Sequence, residues 1–304
     1  MGTPQAAVPS LERILEDGHE VDAVYTQPDR PSGRGNKVSF SPVKEFALSH
    51  GISIFQPLKI KADETLEKFR SHKADLAVVV AYGRILPETL LNTYPEGAIN
   101  VHFSLLPKYR GAAPVNWAIV NGENETGVTT MKMDIGLDTG DILLQHVVDI
   151  GVDETAIDLM SRLSFVGADL LSKTLAQLDT ILPTKQNDDD ATFAPIMKRE
   201  DGAIDWHRTS QQLSDQIRGF QPFPSSYTYL NGAKLTLWAA TAEGATGCLD
   251  PGEISTANGD KFEIACGGGT ILSVSEVQPE GKRRMSVRDF INGAHPVPGT
   301  VLGS

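Results

Sequence analysis

The 304-residue chain is 40% hydrophobic and 22% charged, with 28 glycines and 18 prolines, the composition of a folded protein of about two domains and not of a repetitive or disordered one. A formal charge of −12 excludes a surface that binds nucleic acid through bulk positive charge. The longest apolar run, residues 76–82, is too short for a bilayer span, the first residues lack a secretory signal pattern, and the two cysteines, Cys248 and Cys266, have no partner at metal-ligand spacing, so a cytoplasmic protein without a metal is expected.

From the amino terminus, Met1-Gly2-Thr3-Pro4 reads as a turn that feeds a predicted helix over 5–16. Apolar runs at 20–27, 52–56, 75–81 and 98–102 then alternate with helix-like segments, the pattern of an α/β fold with a parallel sheet. The run at 75–81 is Val-rich and almost continuously apolar, as expected of a central strand covered on both faces. Runs at 127–133 and 141–150 extend the sheet, and 153–178 reads as a long helix whose Met160, Leu163, Leu170, Leu171 and Leu178 form one apolar stripe. A doubly wound sheet normally opens with a strand, followed by a Gly-containing turn and the first helix. Here the turn and helix are present without that strand, so Met1 is read as an internal methionine of a longer natural chain.

Residues 183–204 change character, with Pro183, three aspartates at 188–190 and Pro195, and are expected to form a linker. A short helix at 210–218 and short runs at 226–230, 234–240, 252–256, 261–265 and 270–277 follow, separated by Gly, Asn and Pro, which suggests a small β-barrel or sandwich. The expected organisation is therefore a first domain over 1–182, a linker over 183–204 and a second domain over 205–304. Two acid-free intervals concentrate positive charge, one with Arg30, Arg34, Lys37 and Lys44 and one with Lys282, Arg283, Arg284 and Arg288.

The chemistry is concentrated at Asn100-Val101-His102, which closes a predicted strand. Side chains two apart share a face of a strand, and the carboxyl ends of parallel strands are where open α/β sheets form their ligand crevice. Asn can donate to a developing oxyanion and His can carry a proton near neutral pH. A Pro- and Gly-containing loop over 103–114 follows, and a second loop over 134–141 offers three carboxylates, Asp134, Asp138 and Asp141. One of them could face His102 and favour its imidazolium; spacing does not choose among them.

Asn100-Val101-His102, Ser104 to Pro107 and Leu137-Asp138-Thr139-Gly140-Asp141 together resemble the folate-dependent formyltransferases. Similar segments include 1–4, 26–35, 81–83, 198–206, 217–220 and 298–303, so the resemblance covers essentially the whole chain. It implies a Rossmann-like, doubly wound, mostly parallel sheet followed by a small OB-like β-barrel. The activity implied is transfer of a formyl group from 10-formyltetrahydrofolate, acting as co-substrate, to the α-amino group of methionine on initiator tRNA, with no metal and no obligate protein partner. Carried over residue by residue, Asn100, His102 and Asp138 are the catalytic trio, and Ser104, Leu105, Leu106 and Pro107 belong to the folate-binding loop. The loop over 29–41, with Arg34 and Lys37, is similar to the one laid against the tRNA acceptor end, and Lys282, Arg283 and Arg284 fall in the tRNA-contacting second domain. Two departures stand out: Asn36 occupies a place usually basic, and Phe103 one usually smaller. Two alternatives remain: a formyltransferase of an amino-sugar nucleotide, which would be indifferent to tRNA, and an inactive relative, which would bind tRNA without turnover.

Overall fold

The computed structural model describes residues 1–32, 37–245 and 249–303. The first part of the chain runs α1 (Val8–Glu16), β1 (Val24–Tyr25), β2 (Arg30–Ser32), β3 (Lys37–Ser39), α2 (Pro42–Ser49), β4 (Ile54–Phe55), α3 (Asp63–Arg70), β5 (Ala77–Val79), α4 (Glu88–Leu91), β6 (Ala98–His102) and β7 (Arg110–Gly111). It continues through α5 (Pro114–Val120), β8 (Glu125–Lys132), β9 (Ile142–Asp149), α6 (Ala156–Ala176) and β10 (Phe193–Ala194). Every predicted strand of this part is present. The helix starts are written in the sequence: Ser41 accepts from the Lys44 N–H at 3.2 Å with Pro42 just inside α2, the side-chain cap and first-turn proline that favour a helix start.

β5 and β6 are parallel, and β8 and β9 add antiparallel strands in the order β5-β6-β8-β9. All five residues of β6 are buried, as a strand flanked by neighbours and covered on both faces requires. β1 and β4 form a parallel pair of their own. Between them and β5 lie the first two residues: the Met1 amino group donates to the Val78 carbonyl at 2.7 Å, Gly2 N–H to the Tyr25 carbonyl at 3.0 Å, and Val80 N–H to the Met1 carbonyl at 2.9 Å. Among the described residues no strand precedes α1; a single parallel bridge, Gly2 to Val80, stands at that place in the sheet. Tyr25, Phe69, Tyr82, Leu90 and Tyr94 form a buried cluster beside this edge, and the Tyr94 hydroxyl is satisfied by the Phe69 carbonyl at 2.8 Å.

The chain divides into two compact units. The first comprises Met1–Pro114, Glu125–Asp149 and Met160–Pro195; the second comprises Val115–Asn124, Ile150–Leu159 and the residues from Ile196 onward. The stretches 115–124 and 150–159 join the second unit through its helix α7 (Ser210–Gly219). Asn116 donates to the Gly219 carbonyl at 2.7 Å, the Trp117 and Phe220 rings meet edge-on at 5.3 Å, and Arg218 donates to the Gly151 and Glu154 carbonyls.

The second unit contains β11 (Ser226–Leu230), β12 (Ala233–Ala245), β13 (Ile254–Asn258), β14 (Lys261–Cys266), β15 (Thr270–Pro279), β16 (Met285–Ser286) and α8 (Val287–Ala294). The strands are antiparallel in the order β11-β12-β15-β14-β13, with β16 beside β15. Register shifts along β12 bend it, as bulges do. The carboxyl-terminal segment lies against both outer strands: Leu302 N–H donates to the Gly252 carbonyl at 2.8 Å, Ile254 N–H to the Thr300 carbonyl at 2.9 Å, and Gly303 N–H to the Tyr229 carbonyl at 2.8 Å. These bonds cover edges that would otherwise present unpaired backbone. Cys266 lies in the core, and burial pushes its thiol up to about 12, which keeps it protonated and unreactive; Cys248 lies outside the described residues. Helix α8 was not anticipated, although Ser286 caps it by accepting from Asp289 N–H at 3.2 Å and Phe290 and Ile291 are buried.

Leu302 is 3% exposed within the core of the second unit. Leu302→Ala should destabilise that unit by about 2–5 kcal/mol, the range for removing a buried leucine side chain, read as a lower urea midpoint for the unfolding of strands β11 to β15; an unchanged midpoint would mean that the tail does not seal the core.

Candidate functional site

Strand β6 ends at His102, and its alternation brings Asn100 and His102 to one face, with exposures of 8% and 6%. The pairing of Asn100 with Met131 and of His102 with Thr129 on β8 fixes both backbone positions. His102 Nε2 lies 3.0 Å from the Tyr109 carbonyl oxygen. That oxygen can only accept, so Nε2 carries the proton and, in the neutral ring, Nδ1 holds the lone pair. Nδ1 faces Asp138 Oδ2 at 3.7 Å. This separation is too long for a hydrogen bond but close enough for the carboxylate to stabilise an imidazolium.

The structure chooses among the three carboxylates that spacing left open. Asp134 Oδ1 accepts from Gly136 N–H at 3.0 Å and from the Thr139 hydroxyl at 2.7 Å, closing its own turn. Asp138 alone of the three faces His102, its Oδ2 3.7 Å from Nδ1. It sits in the left-handed region with φ 55°, and its Oδ2 accepts from Gly111 N–H at 2.8 Å. Gly111 has φ 125°, and a Cβ there would lie 2.5 Å from the Ala194 carbonyl oxygen, so only glycine fits where the two backbones approach.

The loop after β6 is built around buried polar groups. Ser104 is fully buried, and its hydroxyl donates to the Lys108 carbonyl at 2.7 Å, so that hydroxyl shapes the turn. Leu106 is buried, whereas Leu105 and Pro107 are half-buried, and the Leu106-Pro107 bond is cis. Thr129 donates to the Ser104 carbonyl at 2.6 Å and accepts from Leu106 N–H at 3.1 Å, while Gln145 donates to the Leu106 carbonyl at 2.9 Å. With its own backbone groups satisfied in this way, the loop presents a fixed surface beside His102.

Of the basic residues singled out from the sequence, Arg34 lies outside the described residues. Lys37 pairs with Ser32 in the β2/β3 hairpin. Lys44 is engaged locally by Asp29 and Gln56, and the Lys44 ammonium holds the Asp29 carboxyl below its usual range. Lys282 and Arg283 are exposed on the turn before β16. Arg284 pairs with Glu276 and lies over the Trp238 ring, 5.1 Å from its centre, and Arg288 pairs with Asp260. The second basic interval thus has two of its charges matched by carboxylates.

Three polar side chains around the trio went unanticipated: Arg110, Thr129 and Gln186. Residues 183–190, expected to be a linker, pair with the first unit through the Ile142–Thr184 bridge, and β10 adds parallel to β7. Gln186 lies 76 positions from its partner Arg110, and no local pattern marks a contact of that range. A cavity of about 490 Å³ lined by Tyr25, Phe55, Leu58, Lys59 and Lys68 opens elsewhere in the first unit, and none of the trio lines it. Among the described residues no group of three or more His, Cys, Asp or Glu side chains could hold a metal ion, and no helix is long and apolar enough to cross a membrane.

Residues 1–175 match the profile of the formyl transferase family, and residues 196–295 match that of the formyl transferase carboxyl-terminal domain. Methionyl-tRNA formyltransferase of Geobacter metallireducens is 48% identical over 305 aligned positions, covering 100% of this chain and 97% of the relative. That of Koribacter versatilis is 49% identical, covering 99% and 97%. Among solved structures, the N-formyltransferase from Helicobacter canadensis, in complex with folinic acid and dTDP-3-aminofucose, superposes with a TM-score of 0.69 at 23% identity over 91% of this chain and 97% of that one. The sugar 3N-formyltransferase WlaRD superposes at 0.67 with 24% identity over 93% and 97%. With both parts of the chain matched and relatives of nearly equal length at close to half identity, the chain belongs to the formyl transferase family.

Proposed function

We propose that this chain transfers the formyl group of 10-formyltetrahydrofolate to the α-amino group of methionine carried by initiator tRNA. The observation that carries the reading is the 48% identity to methionyl-tRNA formyltransferase over the full chain. The sugar formyltransferases share the fold at about half that identity. A likeness at that level speaks for the architecture, not for the acceptor amine. On this reading the first unit, which extends to Pro195, carries the chemistry, 196–204 connect, and 205–304 contact tRNA, in the cytoplasm where initiator tRNA is charged.

The donor set fits the formyl group. A carbonyl under attack by an amine gains negative charge on oxygen, and the Asn100 amide and the His102 imidazolium are both donors able to meet it. The Nε2–H of His102 is committed to the Tyr109 carbonyl, which leaves Nδ1, facing Asp138, as the atom that exchanges a proton. His102 takes up a proton at Nδ1 as the amine adds, and Asp138 lowers the cost of the positive charge. As the bond between the formyl carbon and the folate nitrogen breaks, that nitrogen receives a proton in place of the one the amine has lost, so the protein is left unchanged. Ser104, Leu105, Leu106 and Pro107 are assigned to the folate side of the site, and Arg34, Lys37, Lys282, Arg283 and Arg284 to tRNA phosphates, where cations supply affinity that is lost as salt rises.

The test is formyl transfer to methionyl initiator tRNA, with a dTDP-amino sugar as the competing acceptor; transfer to the sugar alone would replace the reading. His102→Ala and Asp138→Ala should each lower turnover by about 10²-fold or more while the protein stays folded by circular dichroism. Near-normal turnover in either variant would remove the assigned roles. Arg34→Ala should raise KM for the charged tRNA and leave folate binding as it is; an effect confined to folate would move this loop to the other substrate.

A further inference from the structure

Asp138 is held from two sides, and the second involves no residue assigned above. The Gln186 amide nitrogen donates to the Asp138 carbonyl at 2.8 Å and to the Gly140 carbonyl at 2.8 Å, using both of its hydrogens. The amide oxygen accepts from Arg110 Nε at 2.9 Å. Because the Arg110 guanidinium only donates and the two carbonyls only accept, the orientation of the amide follows from its partners and is not arbitrary. Arg110 is 4% exposed, and its Nη2 donates to Asp188 Oδ1 at 2.8 Å.

These bonds close a circuit around the reacting groups. Arg110 lies between Tyr109, whose carbonyl accepts from His102 Nε2, and Gly111, whose N–H donates to Asp138 Oδ2. Its side chain reaches Gln186, which returns to the backbone of Asp138. The strand β7 thereby sets the ring of His102, the carboxylate of Asp138 and the loop that carries Asp138 in one frame. Asp138 needs this support because its left-handed backbone is a conformation that persists where surrounding contacts over-determine it.

We infer that Gln186, oriented by Arg110, is a positioning residue that sets the distance between Asp138 and His102 Nδ1, and that residues 183–190 belong to the catalytic framework. The inference about catalysis rests on the reading that His102 and Asp138 move the proton in formyl transfer. Gln186 touches neither substrate in this account and acts only through Asp138.

Gln186→Met keeps the length and bulk of the side chain and removes both donors. Its kcat for formyl transfer should fall by about 10²-fold, the scale of an ångström's misplacement of a reacting group, with KM for both substrates within about twofold of the parent, as for loss of an interaction made only in the transition state. The double variant Asp138→Asn/Gln186→Met should be no slower than Asp138→Asn alone, because residues acting through one another are not additive. In NMR spectra of the full chain, the His102 ring resonances should move in Gln186→Met toward their positions in Asp138→Asn. A kcat within about twofold of the parent, a further loss in the double variant, or unmoved His102 resonances would overturn the inference. If Gln186→Met does not unfold cooperatively, Gln186→Glu, which keeps the acceptor for Arg110 and loses both donors, takes the same measurements. Should the parent protein transfer no formyl group, the proposed reaction fails, and the His102 resonances decide the role of Gln186 without turnover.

Discussion

A carbonyl oxygen accepts hydrogen bonds and never donates them, and the Tyr109 carbonyl stands 3.0 Å from His102 Nε2. That one contact dictates the tautomer of the imidazole, and the tautomer dictates which nitrogen is free to exchange a proton. Everything built around it serves to keep the other nitrogen facing Asp138. The ring comes from a strand whose five residues are all buried, so it has little freedom to turn. The carboxylate comes from a loop that is pinned to β7 by Gly111 and to the following segment by Gln186. In a site with a histidine 6% exposed, low polarity strengthens each of these interactions and makes each unmatched group expensive.

Much of this was legible in the sequence, for reasons that differ from residue to residue. The apolar run at 75–81 marks the place of β5, Ala77–Val79, because a strand inside a covered sheet demands apolar character, and Asn100 and His102 share a face by the two-residue period of any strand. The choice of Asp138 over Asp134 and Asp141 was not legible from spacing, since it depends on where Gly111 lies, 27 positions away. Resemblance to a known family points to Asp138, and in the structure that carboxylate, of the three, is the one that faces the ring. Asp134 closes its own turn, so it is not available to the ring.

What composition obscured was the role of residues 183–190. Prolines and three consecutive aspartates read as a solvated connection, and the 3-10 turn of Asp188–Asp190 is indeed exposed. Yet Thr184 bridges to Ile142, and Gln186 reaches Arg110 and the Asp138 loop. Pairings of this range carry no local signature, because their cost in loop closure is set by the whole fold and not by neighbouring residues. The basic interval at 282–288 shows the opposite error of scale: counted along the chain it carries four free charges, but in space Arg284 and Arg288 have carboxylate partners, and Lys282 and Arg283 are exposed beside them.

The nitrogen-15 spectrum of His102, assigned by comparison with His102→Ala and recorded at alkaline pH, reads the tautomer of the ring directly. Nε2 is expected to carry the proton and Nδ1 to be bare, as the Tyr109 carbonyl requires. A His102 protonated at Nδ1 instead would contradict that expectation, since the Tyr109 carbonyl would then face a lone pair and the proton-exchanging atom would no longer be the one beside Asp138.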